Sequence, residues 1–121
     1  MKTKNEMRFC FEEDGDIPLV DFLSKLDVKM RAKVMSVIWL LNENGYVYPP
    51  FVEYTPFGPN MEALNIPTEE GDTVVIPFFV DEWPNNYLEI VLTHGFVRTG
   101  AENPKEEIQK AQRLIDEYLD S

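Results

Sequence analysis

From Val34 to Thr93 the chain carries no lysine, arginine or histidine. Across 121 residues, 11 basic side chains stand against 22 acidic ones, a formal net charge of −11. Proteins that hold nucleic acid do so largely by neutralising phosphate with Lys and Arg, and an acidic domain repels that polyanion at long range. The balance excludes a broad nucleic-acid-binding surface. Any contact with RNA has to go through a local basic patch. Cysteine is equally scarce. Cys10 stands alone, which excludes an internal disulfide and a thiolate zinc site. Between Phe9 and Phe11 it reads as a small half-buried side chain. The competing reading is a reactive thiol, but nothing nearby would depress its pKa. There is no zinc ligand set, no Gly-rich phosphate loop and no serine triad, so neither metal nor cofactor is expected. Long apolar runs are missing too, and no membrane-spanning helix is predicted. The N-terminal MKTKNEMRFCF lacks the apolar region and cleavage site of a secretory signal, so a cytoplasmic protein is expected.

What is present suits one domain, residues 1–121, with a hydrophobic fraction of 44% to fill one core. Met7 to Phe11 alternates like a strand. After an acidic turn, Pro18 suits the first position of a short helix. Asp27 is a good N-cap for a longer helix from Val28 to about Asn44, closed by Gly45. Its Met30, Val34, Val37 and Leu41 recur at helical spacing, and Trp39 reads as core or groove lining. Tyr46 to Asn60 is a proline-rich connection with an extended piece near Phe51 to Tyr54. Three strand-like runs follow: Met61 to Ile66, Thr73 to Val80 and Tyr87 to Val97. Pro77 inside the second predicts a bulge or a partly unpaired edge. A last helix opens with Asn103 as N-cap, Pro104 at its first position and Glu106 completing a capping box. The fold class is α+β: a small antiparallel sheet in the order β-α-α-β-β-β-α, with an N-terminal helical hairpin and a C-terminal helix.

The segment Leu92 to Leu119 holds the only histidine, then Arg98, where a strand gives way to a loop, a common place for functional groups. Leu92, His94, Phe96, Arg98 and Pro104, followed by Glu107, Ile108 and Ala111, match a spacing of the form L-x-H-x-F-x-K-K-T-x-K-T-P and then E-I-x-x-A. With PLVDFLSKL and LLNENG upstream, the chain resembles the phage-derived, HigB-like branch of the RelE/ParE toxin superfamily over about residues 7 to 119. The resemblance implies a RelE-like domain, the toxin of a type II toxin–antitoxin pair. It would be neutralised by an antitoxin, for example one of helix-turn-helix type, and would act on mRNA at the ribosome as a metal-independent endoribonuclease. In that reaction the RNA 2′-hydroxyl attacks its own phosphate, which calls for a base, an acid and cations. The resemblance assigns catalytic roles to His94 and Arg98 and substrate contacts to Lys105, Lys33 and Tyr118.

The sequence departs from the family where that chemistry is concentrated. Glu53, Asn65 and Val75 stand near positions where the family carries basic residues, Thr99 replaces the second lysine after the Phe, and Glu102 replaces a later one. Losing one such cation costs a few kcal/mol of transition-state stabilisation. A second function class therefore stands beside the nuclease: a non-catalytic protein-binding module on the same fold. Each candidate also has a plain structural reading. His94 can bond a backbone carbonyl, Arg98 can pair with a surface acid, Lys29 and Lys33 can form a solvated face, and Tyr118 can simply pack.

Overall fold

The computed structural model describes residues 4–45, 53–58, 61–100 and 104–120. The elements run β1 (Lys4–Phe9), α1 (Pro18–Ser24), α2 (Val28–Asn44), β2 (Glu53–Gly58), β3 (Met61–Pro67), β4 (Thr73–Trp83), β5 (Tyr87–Leu92), β6 (Phe96–Arg98) and α3 (Lys105–Leu119). The fold is α+β, as expected.

Local chemistry sets the helix ends. Pro18 occupies the first turn of α1. The Asp27 carboxylate accepts the Met30 N–H at 2.8 Å, and Gly45, at φ 76°, returns its N–H to Leu41 O at 2.8 Å. A left-handed residue there costs glycine nothing. Arg31 closes the other side of this corner. Its Nε donates to Leu23 O at 2.8 Å, and one terminal nitrogen donates to Ser24 O at 3.0 Å and Leu26 O at 2.8 Å. Those are carbonyls at and just past the end of α1, where intrahelical partners run out. Arg31→Ala is expected to cost about 2 kcal/mol in denaturant unfolding. Lysine should recover only part of that, because it lacks the planar fork.

The strands form one sheet in the order β1-β5-β4-β3-β2, with β6 also on β4. Sequential neighbours pair antiparallel. The purely antiparallel sheet expected from the sequence is corrected here: β1 lies parallel to β5, Glu6 beside Glu89 and Arg8 beside Val91. Turn signals speak only for strands adjacent in sequence, whereas β1 joins an edge contributed by the far end of the chain. Pairing continues past the strand, where Cys10 N–H reaches Leu92 O at 3.0 Å.

The period-two alternation sends alternate side chains to opposite faces. Leu64, Ile66, Val74, Ile76, Phe78, Ile90 and Leu92 pack against Leu19, Val34, Val37 and Leu41 of the helical hairpin. Met61, Ala63, Val75 and Val91 pack with Cys10 against Ala111, Leu114 and Ile115 of α3. The result is three layers, with the hairpin on one face and α3 on the other.

Three further expectations are revised. The run Tyr87 to Val97 is broken into β5 and β6. The helix α3 begins at Lys105 with Pro104 as its N-cap and no side-chain bond; the expected cap, Asn103, lies outside the described residues. Trp39 is neither core nor sealed in a groove, since it is 60% exposed. A helix apolar on both sides gives no hint of which side faces the sheet. Among the described residues no helix is long and apolar enough to cross a membrane.

Candidate functional site

The site begins at Pro77, which has no N–H to give to a neighbouring strand. On that side of β4, Phe78 pairs with Leu92 and Val75 with Phe96, so two residues of β4 face the three of Thr93–Gly95. This is the bulge that a proline inside a strand demands. The Pro77 carbonyl holds it closed, accepting the Thr93 N–H at 3.0 Å and the Thr93 hydroxyl at 2.9 Å. The extra residue bends the chain and delivers His94 under α3.

His94 is only 2% exposed. Its Nε2 lies 2.7 Å from a Glu107 carboxylate oxygen on the first turn of α3, and its Nδ1 lies 3.2 Å from Thr93 Oγ. Its ring stacks on Phe96 at 5.6 Å between centroids and 25° between planes. The network assigns the protons. Nε2–H donates to Glu107, which leaves Nδ1 as an acceptor, and the single Thr93 hydroxyl proton is shared between Pro77 O at 2.9 Å and Nδ1 at 3.2 Å. Burial pushes the His94 pKa below its ordinary value, with Lys110 and Arg113 acting the same way, while the Glu107 hydrogen bond and charge oppose the shift. A neutral imidazole sealed in this way braces the β5–β6 bulge against α3.

Over this buried pair lies an open groove of about 420 Å³ between β6 and the start of α3, lined by Phe96, Arg98, Thr99, Lys105, Glu106 and Glu107 among others. Arg98 and Lys105 both line it, beside a helix start whose N-cap residue, Pro104, offers no side-chain cap. Among the described residues the buried Arg98 Nε has no hydrogen-bond partner. Two cations and a helix N-terminus can hold an anionic group, although Glu106 and Glu107 share the rim.

The other predicted residues lie elsewhere. Lys33 donates to Pro67 O at 2.5 Å, and Lys29 pairs with Glu69 at 2.6 Å. Both line a separate cleft beside the β3–β4 turn. Tyr118 is eleven residues beyond Glu107 on α3, about 16 Å along the axis. Its hydroxyl donates to Glu89 at 3.0 Å, and burial followed by that carboxylate pushes its pKa up to about 12. Cys10 is 1% exposed, and burial raises its thiol to about 12, so it stays a thiol at neutral pH.

The register lines up the positions at which the resemblance would place cations. Glu53 pairs with Asn65, Asn65 with Val75, and Val75 with Phe96, in one row across four strands that ends on the ring beneath which His94 stacks. No position in that row is basic. A second row, on the same face as α3, places Glu6 beside Glu89 and Glu89 beside Asp81. Tyr87 donates its hydroxyl to Glu6, and Arg8 pairs with the same carboxylate. Sequence reasoning missed Glu107, Thr93 and this carboxylate row. Glu107 matches the family spacing as a helix residue, but nothing in the spacing shows it facing the histidine. Glu6 and Glu89 are distant in sequence and meet only through the parallel pairing.

No family model, curated protein or solved structure matches the chain. Among the described residues, no group of His, Cys, Asp and Glu could hold a metal ion.

Proposed function

We propose that this chain is a RelE/ParE-like domain that works by binding a protein partner, with the RNA-cleaving chemistry of the type lost. One observation carries the reading: the row Glu53–Asn65–Val75–Phe96 crosses the sheet toward His94 without a basic side chain. A phosphorane-like transition state formed over that row would meet no cation from the row itself. The imidazole that would move the proton is buried and engaged at both nitrogens. The net charge of −11 and the Glu6–Glu89–Asp81 row favour a partner with a basic segment, such as a small antitoxin.

A second reading keeps the activity. The chain would then be the toxin of a type II pair, a metal-independent endoribonuclease acting on mRNA at the ribosome in the cytoplasm. The groove that joins Arg98 and Lys105 favours it, since both cations point to a phosphate.

Induced expression of the chain alone separates the two. Unchanged growth and intact transcripts are expected, with Arg98→Ala and Lys105→Ala indistinguishable from wild type. Growth arrest with cleaved transcripts, abolished by Arg98→Ala, would replace the binding module with the nuclease.

A further inference from the structure

The helix α2 is apolar on both sides. Its inner face fills the core, while Val28 is 77%, Met35 54% and Trp39 60% exposed. With Ala32 they recur at i, i+4, i+7 and i+11, a straight outward seam about 16 Å long. A seam of this spacing is what one helix presents to another.

We infer that this seam is the contact with a second copy of the chain, two α2 helices packing antiparallel about a two-fold axis between Ala32 and Met35. The sizes along the seam are self-complementary in that orientation. Trp39, the largest side chain, meets the partner's Val28, and Met35 meets the partner's Ala32. Each large residue lands on a smaller one, as two-fold self-recognition requires. The neighbouring Ser36 does not oppose coverage, because its hydroxyl already donates to Ala32 O at 2.9 Å and would not be orphaned.

The charges at the seam ends agree. The last turn of α2 carries Glu43 and no basic residue, so this carboxylate sits at the negative end of its own helix dipole, which is unfavourable. Antiparallel packing moves it to the positive end of the partner helix, toward the partner's Lys25, while Lys29 stays with Glu69 and the N-cap Asp27 keeps its carboxylate on the Met30 N–H. A parallel pair would stack like ends on like ends and set Trp39 against Trp39.

The contact is small beside the roughly 800 Å² per partner of a standard interface, so the dimer is weak and concentration-dependent. Each copy also carries −11. Long-range repulsion falls as the screening length shortens from about 30 Å at 0.01 M salt to about 8 Å at 0.15 M. Dimerisation therefore strengthens with salt, whereas docking of a basic partner on this acidic chain would weaken.

Sedimentation velocity on the full chain tests this. The mass should rise with concentration from 14.1 kDa toward twice that value, more readily at higher salt. Trp39→Glu, at an exposed position, should hold the chain monomeric with its circular dichroism unchanged. In a Trp83→Phe background, Trp39 emission should shift to the blue as concentration rises. Lys25→Glu and Glu43→Lys should each weaken the dimer, and the double exchange should restore it. A chain that stays monomeric at every concentration overturns the proposal, as does a dimer that survives Trp39→Glu. A dimer lost in Trp39→Glu but not restored by the double exchange overturns the antiparallel arrangement.

Discussion

Gly95→Ala should be among the most damaging single substitutions in the chain, costing about 3 kcal/mol and lowering the melting temperature by roughly 10 °C. A Cβ built at Gly95 falls 2.3 Å from Phe22 Cδ2, 2.7 Å from Cε2 and 2.9 Å from Cγ. Contacts that short do not occur, so either the ring or the bulge has to move. Neither is free to do so. Phe22 packs against the core beneath the helical hairpin. The bulge is fixed by the two Thr93 hydrogen bonds to Pro77 O. Gly95 is therefore needed for space: α1 presses its ring onto the backbone one residue after His94. The control is Phe22→Leu, which clears the clash at a cost of its own. Combined with Gly95→Ala it should cost markedly less than the sum of the two singles, a coupling of about 1–2 kcal/mol in a double-mutant cycle. Additive effects would show that the glycine is required for some reason other than Phe22.

This clash shows where the sequence is legible and where it is not. Signals whose physics is complete within a few residues were readable. Asp27 and Gly45 carry their own hydrogen bonds, Pro18 its own dihedral, and Thr73 to Val80 its apolar run. Pro77 was readable as a fault in a strand, because a missing N–H is a property of the residue itself. What the fault does was not readable, since it depends on Phe22, Thr93 and Glu107, which come from three separate parts of the chain. The same holds for the sheet edge. The pairing of Glu6 with Glu89 leaves no local trace, so the sequence alone reads as an antiparallel meander while β1 in fact lies parallel to β5.

The candidate site divides along the same line. Residue types and spacing brought out His94, Arg98 and Lys105, and Arg98 and Lys105 share a groove. Lys33 and Tyr118 are substrate contacts only through the resemblance. The fold commits them to Pro67 O and to Glu89, away from that groove. Trp39 was misplaced for a different reason. Hydrophobicity predicts that a side chain will be covered, but it does not say whether the cover comes from the same chain.

His94 and Glu107 should give this protein a stability that falls on mild acidification. Burial holds the folded-state pKa of His94 below its ordinary value of about 6.5. Between the folded value and about 6.5 the unfolded chain binds the proton more readily than the native one. Stability there rises with pH and is lost as pH falls through the window, while above about pH 6.5 this group contributes no slope. Arg98, Lys105 and the start of α3 lie directly above the pair, so acidification strains the floor of the groove first. Glu107→Gln keeps a hydrogen-bond acceptor but removes the anion that opposes burial. It should lower the His94 midpoint further while costing only about 1 kcal/mol at neutral pH. His94→Ala should cost about 3 kcal/mol at pH 8, through the lost ring and the cavity it leaves, and should abolish the acid slope. The measurements are the pH titration of the His94 ring by NMR and denaturant unfolding from pH 5 to 8. A midpoint above about 6.5 would mean that Glu107 outweighs burial. The slope would then reverse, and the pair would stabilise α3 as an ion pair at acidic pH, making His94 a charged brace in place of a neutral one.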